Sequence, residues 1–252
     1  MKTKKKLLSI ITVVKNDVTN IELTIKSILS QRNPNVEYII IDGKSSDGTD
    51  KIIRKYKKKI SKIVISKDKG IYDAMNKGIK ISSGKYVGFC NSGDILKKTS
   101  IRDILKFLEK DIDVLFATVK RNYIGSHIIK SGFNLERLKY NFDFATSHST
   151  GFYIKKEFHY KIGMYDLRFK CSSDYDFYLR LFKKDNLNIK STKRKKIIGV
   201  VKSGGFSSSY SALEHLIEET KIRLKNNQNI FFVGIIFINA YIKIILKKLL
   251  KL

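Results

Sequence analysis

Three short polar clusters hold the residues of this chain whose types and spacing could do chemistry. The first follows an apolar run from Val36 and places Asp42 and Asp47 in IDGKSSDGT. A carboxylate at the end of a buried strand, followed by a Gly/Ser turn and a helix start, is typical of ligand sites in open α/β sheets. Asp47 can also cap a helix beginning near Thr49. The preceding run LLSIITVVKND likewise turns polar at its end, and the two units together predict a nucleotide-binding α/β half and leave the reaction open.

The second cluster is NSGD, which directly follows another apolar run. Gly93 permits a tight turn, and Asp94 could offer a hard oxygen ligand to Mg²⁺ or Mn²⁺ beside a diphosphate. Turns at strand ends also carry Asn, Gly and Asp for conformational reasons. By itself the cluster is compatible with a metal site and with a plain turn.

The third cluster is SSDYDFYLR, in which Asp174 and Asp176 precede the apolar side of a predicted helix. Two carboxylates at a helix start are stabilised by the helix dipole. One of them could instead act as a general base towards a substrate hydroxyl. His148 lies in a Ser/Thr-rich loop beside a predicted strand, and both a structural and an active role are open for it.

Alternating strands and helices must position these clusters. Apolar runs predict strands at LLSIITVV and at residues 36–42, 63–65, 86–90 and 114–117, and helical spacing predicts helices at 21–31, 52–56, 71–81 and 101–108. This alternation predicts a mainly parallel sheet covered by helices on both faces. Residues 120–130 are strand-like without an intervening helix, so the second half is expected to be mixed.

The composition limits the partners. The 252 residues carry 51 Lys and Arg against 23 Asp and Glu, a net charge of +28. Compositional drift towards Lys explains this charge as well as attraction to anions does. Only nine of the basic residues are Arg, which argues against a nucleic-acid partner because Arg is preferred for base and phosphate contacts. Two cysteines and a start without a signal-peptide pattern indicate a reducing, cytoplasmic location.

Taken in order, five segments resemble the inverting family 2 glycosyltransferases with the GT-A fold. They are SIITVVKND, YIIIDGKSSDGT, DKGIYDAMNKGI, FCNSGD and SSDYDFYLR, and they span roughly residues 8 to 185. Their joint order is far more specific than any one of them. The resemblance implies a Rossmann-like α/β domain at residues 1–205 and a nucleoside-diphosphate-sugar donor.

The resemblance also implies roles for single residues. Asp174 matches the catalytic base and Asp94 the last carboxylate of the metal motif. The usual acidic first and middle positions of that motif are Asn91 and Gly93 here, so a Mg²⁺ or Mn²⁺ cofactor is expected with one clear carboxylate ligand. His148 and Asp176 are candidates on the acceptor side. The expected donor-binding residues are Val13, Lys15, Asn16, Asp42, Asp68, Lys69, Asn76 and Asn91.

The chain end, predicted as a helical extension over 206–252, is very apolar from Ile230 and interleaved with lysines. A complete membrane span needs about 20 apolar residues, and Asn239 and Lys243 interrupt the run. We therefore expect an amphipathic helix on an anionic membrane surface. There are two alternatives. The terminal helix could pack on the domain or on a second subunit, which would make a homodimer, or it could span the membrane once.

Together these features predict an inverting transfer of a sugar to a glycan or lipid-linked acceptor, in bacterial surface polysaccharide assembly at the inner face of the cell membrane. One alternative is a non-catalytic membrane- or nucleic-acid-binding protein on a degenerate transferase fold. The pairing of Asp94 with Asp174 argues against it, because a pure binder needs neither. A nucleotidyltransferase is the other alternative, and VVKNDVTN lacks the glycine-rich loop that it would need.

Overall fold

The computed structural model describes residues 6–123, 126–140, 145, 149–202 and 204–250. The strands are β1 Leu8–Val14, β2 Val36–Asp42, β3 Lys62–Ile65, β4 Tyr86–Phe89, β5 Ile95–Leu96, β6 Val114–Phe116, β7 Thr118–Tyr123, β8 Ser126–Lys130, β9 Phe152–Lys155, β10 Ile189–Ser191 and β11 Ile197–Val201. The helices are α1 Ile21–Leu29, α2 Thr49–Lys55, α3 Ile71–Ile81, α4 Ser100–Leu108, α5 Leu135–Leu138, α6 Glu157–Lys161, α7 Ser173–Leu181, α8 Ala212–Lys225 and α9 Ile230–Leu249.

The described strands form a large sheet of order β10-β6-β9-β4-β1-β2-β3 and a smaller sheet of order β5-β11-β7-β8. Strands β3, β2, β1 and β4 are parallel, and β9 is antiparallel to β4 and β6. The predicted α/β class with a mainly parallel sheet is confirmed. The strand-like stretch at 120–130 corresponds to the hairpin of β7 and β8.

Two apolar layers cover the large sheet, as the alternation of side chains along a strand requires. Ile11 and Val13 of β1 belong to the layer that includes α3 and α7, whereas Leu8 and Ile10 belong to the layer with α1 and α4. Every residue of β1 is buried, which is typical of parallel sheets packed on both faces. A Cβ at Gly78 would lie 2.6 Å from the Ile11 side chain, so glycine lets α3 approach β1 closely.

Helix α8 begins with a capping box in which Ser211 and Glu214 bond each other's backbone N–H groups. Its Arg223 is buried, lies over the ring of Tyr175 in α7, and donates to the carbonyls of Lys139 and Tyr140. These contacts dock α8 onto α7 and onto the residues that follow α5. Within the described residues, α9 is the one helix whose length and apolar composition would suffice to cross a membrane.

Candidate active site

A cavity of about 1400 Å³ opens at the carboxyl ends of β1 and β4. Its walls come from the loop after β1, the start of α3, the turn after β4, the strands β7 and β8, the start of α7 and the segment from β11 into α8. Ligands bind outside the carboxyl ends of parallel strands in open α/β sheets. The position therefore agrees with the site predicted from the first two clusters.

The loop after β1 is fixed to the loop after β2 by Asn16. Its backbone N–H donates to Ser45 Oγ over 2.8 Å, and its side-chain oxygen accepts from the Ser46 N–H over 2.8 Å. Asn16 has φ 51°, a left-handed conformation that Asn tolerates better than most residues. Val13, Lys15 and Asn16 all line the cavity. The structure thus brings the predicted first donor segment to the site.

Asp42 ends β2 and is fully buried. Its Oδ1 accepts from the backbone N–H and the hydroxyl of Ser45, over 3.0 and 2.6 Å. Its Oδ2 is buried and has no hydrogen-bond partner among the described residues. Asp42 does not itself line the cavity. Its expected contact with the nucleoside stays a prediction, and Oδ2 is the acceptor that such a contact would satisfy.

The DKGIYDAMNKGI segment divides between the cavity and the core. Asp68 and Lys69 line the cavity, and Gly43 leaves room for the Asp68 carboxylate, which a Cβ at that position would meet at 2.2 Å. Asn76 does not reach the cavity. Its buried amide pairs with the carbonyl and the N–H of Tyr165, over 2.9 and 3.1 Å. Its polar atoms hold the loop before α7, so the donor contact of Asn76 stays a prediction that this geometry does not support.

Asp94 lines the cavity although it is largely buried. Its Oδ2 accepts from the Thr150 hydroxyl over 2.5 Å and its Oδ1 from the Lys202 backbone N–H over 3.2 Å. Asn91 donates to Ser149 Oγ over 3.0 Å, and its Oδ1 is buried without a hydrogen-bond partner in the described part of the chain. The turn after β4 thus presents one carboxylate and one unpaired amide oxygen.

These two oxygens fit a divalent ion only in part. Mg²⁺ and Mn²⁺ prefer hard oxygen ligands, which Asp94 and Asn91 supply. Within the described residues, however, no group of three or more His, Cys, Asp or Glu side chains could hold a metal. The donor set therefore fits an ion whose remaining ligands come from a diphosphate and water.

Asp174 lies in the first turn of α7 and lines the cavity. Its Oδ1 accepts from the Tyr72 hydroxyl over 2.9 Å and from the Tyr175 backbone N–H over 3.0 Å. Burial raises the pKa of Asp174 to about 6, although both hydrogen bonds act against this increase, and the carboxylate of Glu219 adds to it. A carboxylate that stays ionised at neutral pH but binds a proton readily suits a general base.

Asp176 lies on the other side of the same helix and is fully buried. Its Oδ2 accepts from Arg180 Nε over 2.8 Å, while its Oδ1 accepts from Lys225 Nζ and the Asn226 amide. Oδ1 thus joins α7 to the end of α8, while Oδ2 pairs with an arginine of α7 itself. Both oxygens are engaged away from the cavity, and the acceptor-side role of Asp176 stays a prediction that this geometry does not support. His148, the other residue proposed for that side, lies outside the described residues.

Sequence reasoning missed the contribution of α8 to the site. Glu218 accepts from the backbone N–H groups of Lys170, Cys171 and Ser172, over 2.6, 2.9 and 3.0 Å. Burial alone would raise the pKa of Glu218, but these donors bring it below its ordinary value. His215 and Glu219 line the cavity beside Asp174. The capping box SALE signals a helix start, yet nothing local predicts that the helix returns to the site.

Positive side chains surround the cavity. They come from segments far apart in the sequence and are Lys15, Lys69, Arg121, Lys130 and Lys202. Five carboxylates also line the cavity, and they are Asp17, Asp68, Asp94, Asp174 and Glu219. The cavity is therefore mixed in charge, and its basic side chains can contact the negatively charged part of a ligand, such as a diphosphate.

The model of one family, Glycosyl transferase family 2, matches residues 9–169. The chain belongs to this family. The match includes the first four of the five segments that carry the resemblance, and it ends before Asp174. The family assignment therefore does not test the residue proposed as the base.

Among curated relatives, the chain is 35% identical over 129 residues to the UDP-Glc:alpha-D-GlcNAc-diphosphoundecaprenol beta-1,3-glucosyltransferase WfaP of Escherichia coli. The match covers 50% of each protein, so the chain spans about half the length of this relative. Among the solved structures that share the fold are two with a bound nucleotide sugar. S. aureus TarS 1–349 in complex with UDP-GlcNAc has a TM-score of 0.70 at 19% identity and covers 94% of this chain and 73% of its own.

The other is the mannosyltransferase PcManGT of Pyrobaculum calidifontis in complex with GDP-Man and Mn²⁺, with a TM-score of 0.64 and 13% identity over 95% of this chain and 70% of its own. Transferases of this fold thus include one that holds Mn²⁺. Together with the family match, these likenesses confirm the predicted glycosyltransferase fold.

Proposed function

We propose that this protein is an inverting glycosyltransferase that moves a sugar from a nucleoside-diphosphate sugar to a hydroxyl of a glycan or lipid-linked acceptor. The observation that carries the proposal is Asp174, a carboxylate with a raised pKa on the wall of a cavity that also presents Lys and Arg side chains. Family membership supports the reaction class. The acceptor named for WfaP, a sugar on a diphosphate-linked lipid, supports a lipid-linked acceptor and a place in surface polysaccharide assembly.

In the proposed reaction, the acceptor hydroxyl attacks the anomeric carbon while Asp174 takes its proton. A new C–O bond forms as the bond to the diphosphate breaks, and the diphosphate leaves with the electron pair. The lysines and Arg121 around the cavity attract the diphosphate and stabilise its developing charge. A divalent ion held by Asp94 and Asn91 would supply further charge neutralisation to the leaving group.

The donor contacts proposed from sequence are retained for Val13, Lys15, Asn16, Asp42, Asp68, Lys69 and Asn91. We propose in addition that α9 docks on an anionic membrane surface, where a lipid-linked acceptor would be found. Its long apolar side chains are exposed, and lysines from Lys243 onward offer charge for acidic headgroups. The protein would then lie at the inner face of the cell membrane.

A donor screen with the full-length protein tests the proposal. Hydrolysis of UDP-, GDP- and dTDP-sugars should identify one donor class, and Asp174→Asn should lower its turnover by a factor on the order of 10² to 10⁴. Nucleotide affinity, measured by calorimetry, should be nearly unchanged. Asp185→Asn, at an exposed position after α7, is the matched control and should behave as the wild type.

Near-native turnover of Asp174→Asn would rule out this mechanism. Nucleotide binding by a wild-type protein that turns over none of the donors would favour the non-catalytic alternative. The metal proposal has its own test, because UDP affinity should fall with a chelator and in Asp94→Ala. Equal affinity in all three conditions would indicate that the lysines alone hold the diphosphate.

A further inference from the structure

Tyr72 of α3 lies between two hydrogen-bond acceptors at the edge of the cavity. Its hydroxyl is 2.9 Å from Asp174 Oδ1 and 3.1 Å from the carbonyl oxygen of Cys171. A phenol carries one proton and can make one good donor bond at a time. The hydrogen bonds from Tyr72 and from the Tyr175 backbone N–H both end on Oδ1 of Asp174. The two oxygens of this carboxylate are therefore held differently.

We propose that Tyr72 is a positioning residue for Asp174, and this inference rests on the proposed function. By donating to Oδ1, Tyr72 fixes the carboxylate and leaves Oδ2 for the acceptor hydroxyl. When Oδ2 takes the acceptor's proton, the negative charge on Asp174 is lost. The Tyr72 hydroxyl then turns to the Cys171 carbonyl and keeps its own proton throughout.

The second acceptor is fixed in place by α8. Glu218 binds the N–H groups of Lys170, Cys171 and Ser172, so the peptide that carries the Cys171 carbonyl is anchored on both sides. Tyr72 itself is 8% exposed, and its ring packs against Tyr165 at 5.5 Å between centroids. The hydroxyl can therefore exchange between two nearly fixed acceptors by rotation of one bond.

Among the residues that the structure describes, five titratable groups face Asp174 from the elements around it. They are Tyr72 on α3, Tyr165 in the loop before α7, Cys171, Tyr178 on α7 and Glu219 on α8. Burial is the largest influence on the pKa of Asp174. Of the neighbours, the Tyr72 hydrogen bond lowers this pKa and the Glu219 charge raises it. Removing the Tyr72 hydroxyl should therefore raise the pKa of Asp174, and removing the Glu219 charge should lower it.

Carboxyl ¹³C NMR of the full-length protein measures this titration without requiring activity. The Asp174 resonance, assigned by its loss in Asp174→Asn, should titrate near pH 6 in the wild type. Tyr72→Phe should raise the midpoint by about one pH unit, as the loss of a hydrogen bond to a charged group implies. Glu219→Gln should lower it. Tyr86→Phe loses a buried hydroxyl bond to the Ile112 carbonyl and should leave the midpoint unchanged.

A measurement on the wild type tests the exchange of the hydroxyl even if Tyr72→Phe fails to fold. One tyrosine ¹³Cζ resonance should shift with the midpoint of Asp174, and this shift should vanish in Asp174→Asn. The absence of any tyrosine resonance that follows Asp174, or an unchanged midpoint in folded Tyr72→Phe, would overturn the inference.

Kinetics separates this inference from the proposed function. With UDP-glucose hydrolysis as the probe, or hydrolysis of the donor that the screen identifies, Tyr72→Phe should lower kcat about tenfold and leave nucleotide affinity unchanged. The acid limb of its pH profile should move to higher pH. If Asp174→Asn is inactive while Tyr72→Phe keeps the wild-type profile, the inference fails and the function stands. If Asp174→Asn remains active, the function fails, whereas the NMR midpoints still test the hydrogen bond.

Discussion

The last two described helices, α8 and α9, are adjacent in sequence but differ in what they contact. Helix α8 carries many charged residues, and it packs against α7 and lines the cavity. Helix α9 is apolar over most of its length, and Val233 is its one buried residue in the described structure. Phe231, Ile235 and Ile238 of α9 are 80, 66 and 59% exposed.

The difference shows that apolar content alone does not decide whether a helix joins the core. Polar contacts at defined distances hold α8 in place: Glu218 on the loop before α7, Arg223 on the carbonyls of Lys139 and Tyr140, and Lys225 on Asp176. Helix α9 has few partners within the described chain, and an exposed apolar surface of this size indicates a membrane or protein contact. The predicted boundary at residues 205 and 206 therefore falls inside a segment that contributes to the site.

Two truncations should separate the helices most strongly. Removal of residues 230–252 should retain most of the activity on a soluble acceptor and move the protein from the membrane pellet to the supernatant. Removal of 206–252 should abolish activity, because it removes the cavity wall and the anchor of the loop before α7. Activity and circular dichroism of both proteins provide the measurement. Unfolding of the protein that lacks only residues 230–252 would show that α9 is part of the core.

Charged substitutions on α9 should weaken membrane binding. Ile235→Asp combined with Ile238→Asp removes two apolar side chains, each worth about 1.5 to 3 kcal/mol when buried, so flotation with anionic vesicles should fall at least 30-fold. Ile217→Asp, at a partly exposed position of α8, is the control and should not change flotation. Equal binding of the double variant, or equal binding to neutral vesicles, would argue against an anionic membrane as the partner of α9.

Loss of the Glu218 carboxylate should affect stability and turnover together. Glu218→Ala leaves three backbone N–H groups without their acceptor, which should reduce the free energy of unfolding by about 2 to 3 kcal/mol and lower kcat several-fold. Glu157→Ala, in an exposed pair with Lys161, should change neither. Denaturant unfolding and donor hydrolysis measure the two effects, and a stable but inactive variant would place Glu218 in the chemistry instead.

The same residue gives a pH dependence of known sign. Because the pKa of Glu218 is lower in the folded protein than its ordinary value of 4.5, its ionised form stabilises the fold. This stabilisation is complete at neutral pH and is lost as the pH falls below 4.5 through the lowered pKa. Unfolding curves from pH 7 to pH 3 should therefore converge for the wild type and Glu218→Ala.

The smallest expected effect concerns the start of α8. Ser211→Ala removes the hydroxyl that caps the helix, and such a loss typically costs about 1 kcal/mol. A small decrease in melting temperature with unchanged nucleotide affinity is expected. Asn229→Ala, at the corresponding cap of α9, should have a smaller effect on melting because α9 contacts less of the fold.

The arrangement of the N-terminal half of the site could be predicted from the sequence. Buried apolar runs that end in polar residues predict parallel strands, and the carboxyl ends of parallel strands meet at one edge of a sheet. The residues that follow β1, such as Lys15, and those that follow β4, such as Asp94, could therefore be placed together without coordinates. The same pattern could not decide whether Asp42 lies on the cavity surface or is buried beneath it, since a residue at the end of a buried strand can do either.

The C-terminal half of the site depends on how helices far apart in the chain pack together. Asp174 and Asp176 look equivalent in the sequence, but two residues along a helix differ by about 200° in direction, so one faces the cavity and the other faces Arg180 and Lys225. Asn76 shares its segment with Asp68 and yet bonds to the main chain of Tyr165. The contacts of Tyr72 and Glu218 join residues that are 46 to 102 positions apart. Local patterns carry no information about contacts of this range, because they depend on how α3, α7 and α8 pack around the sheet.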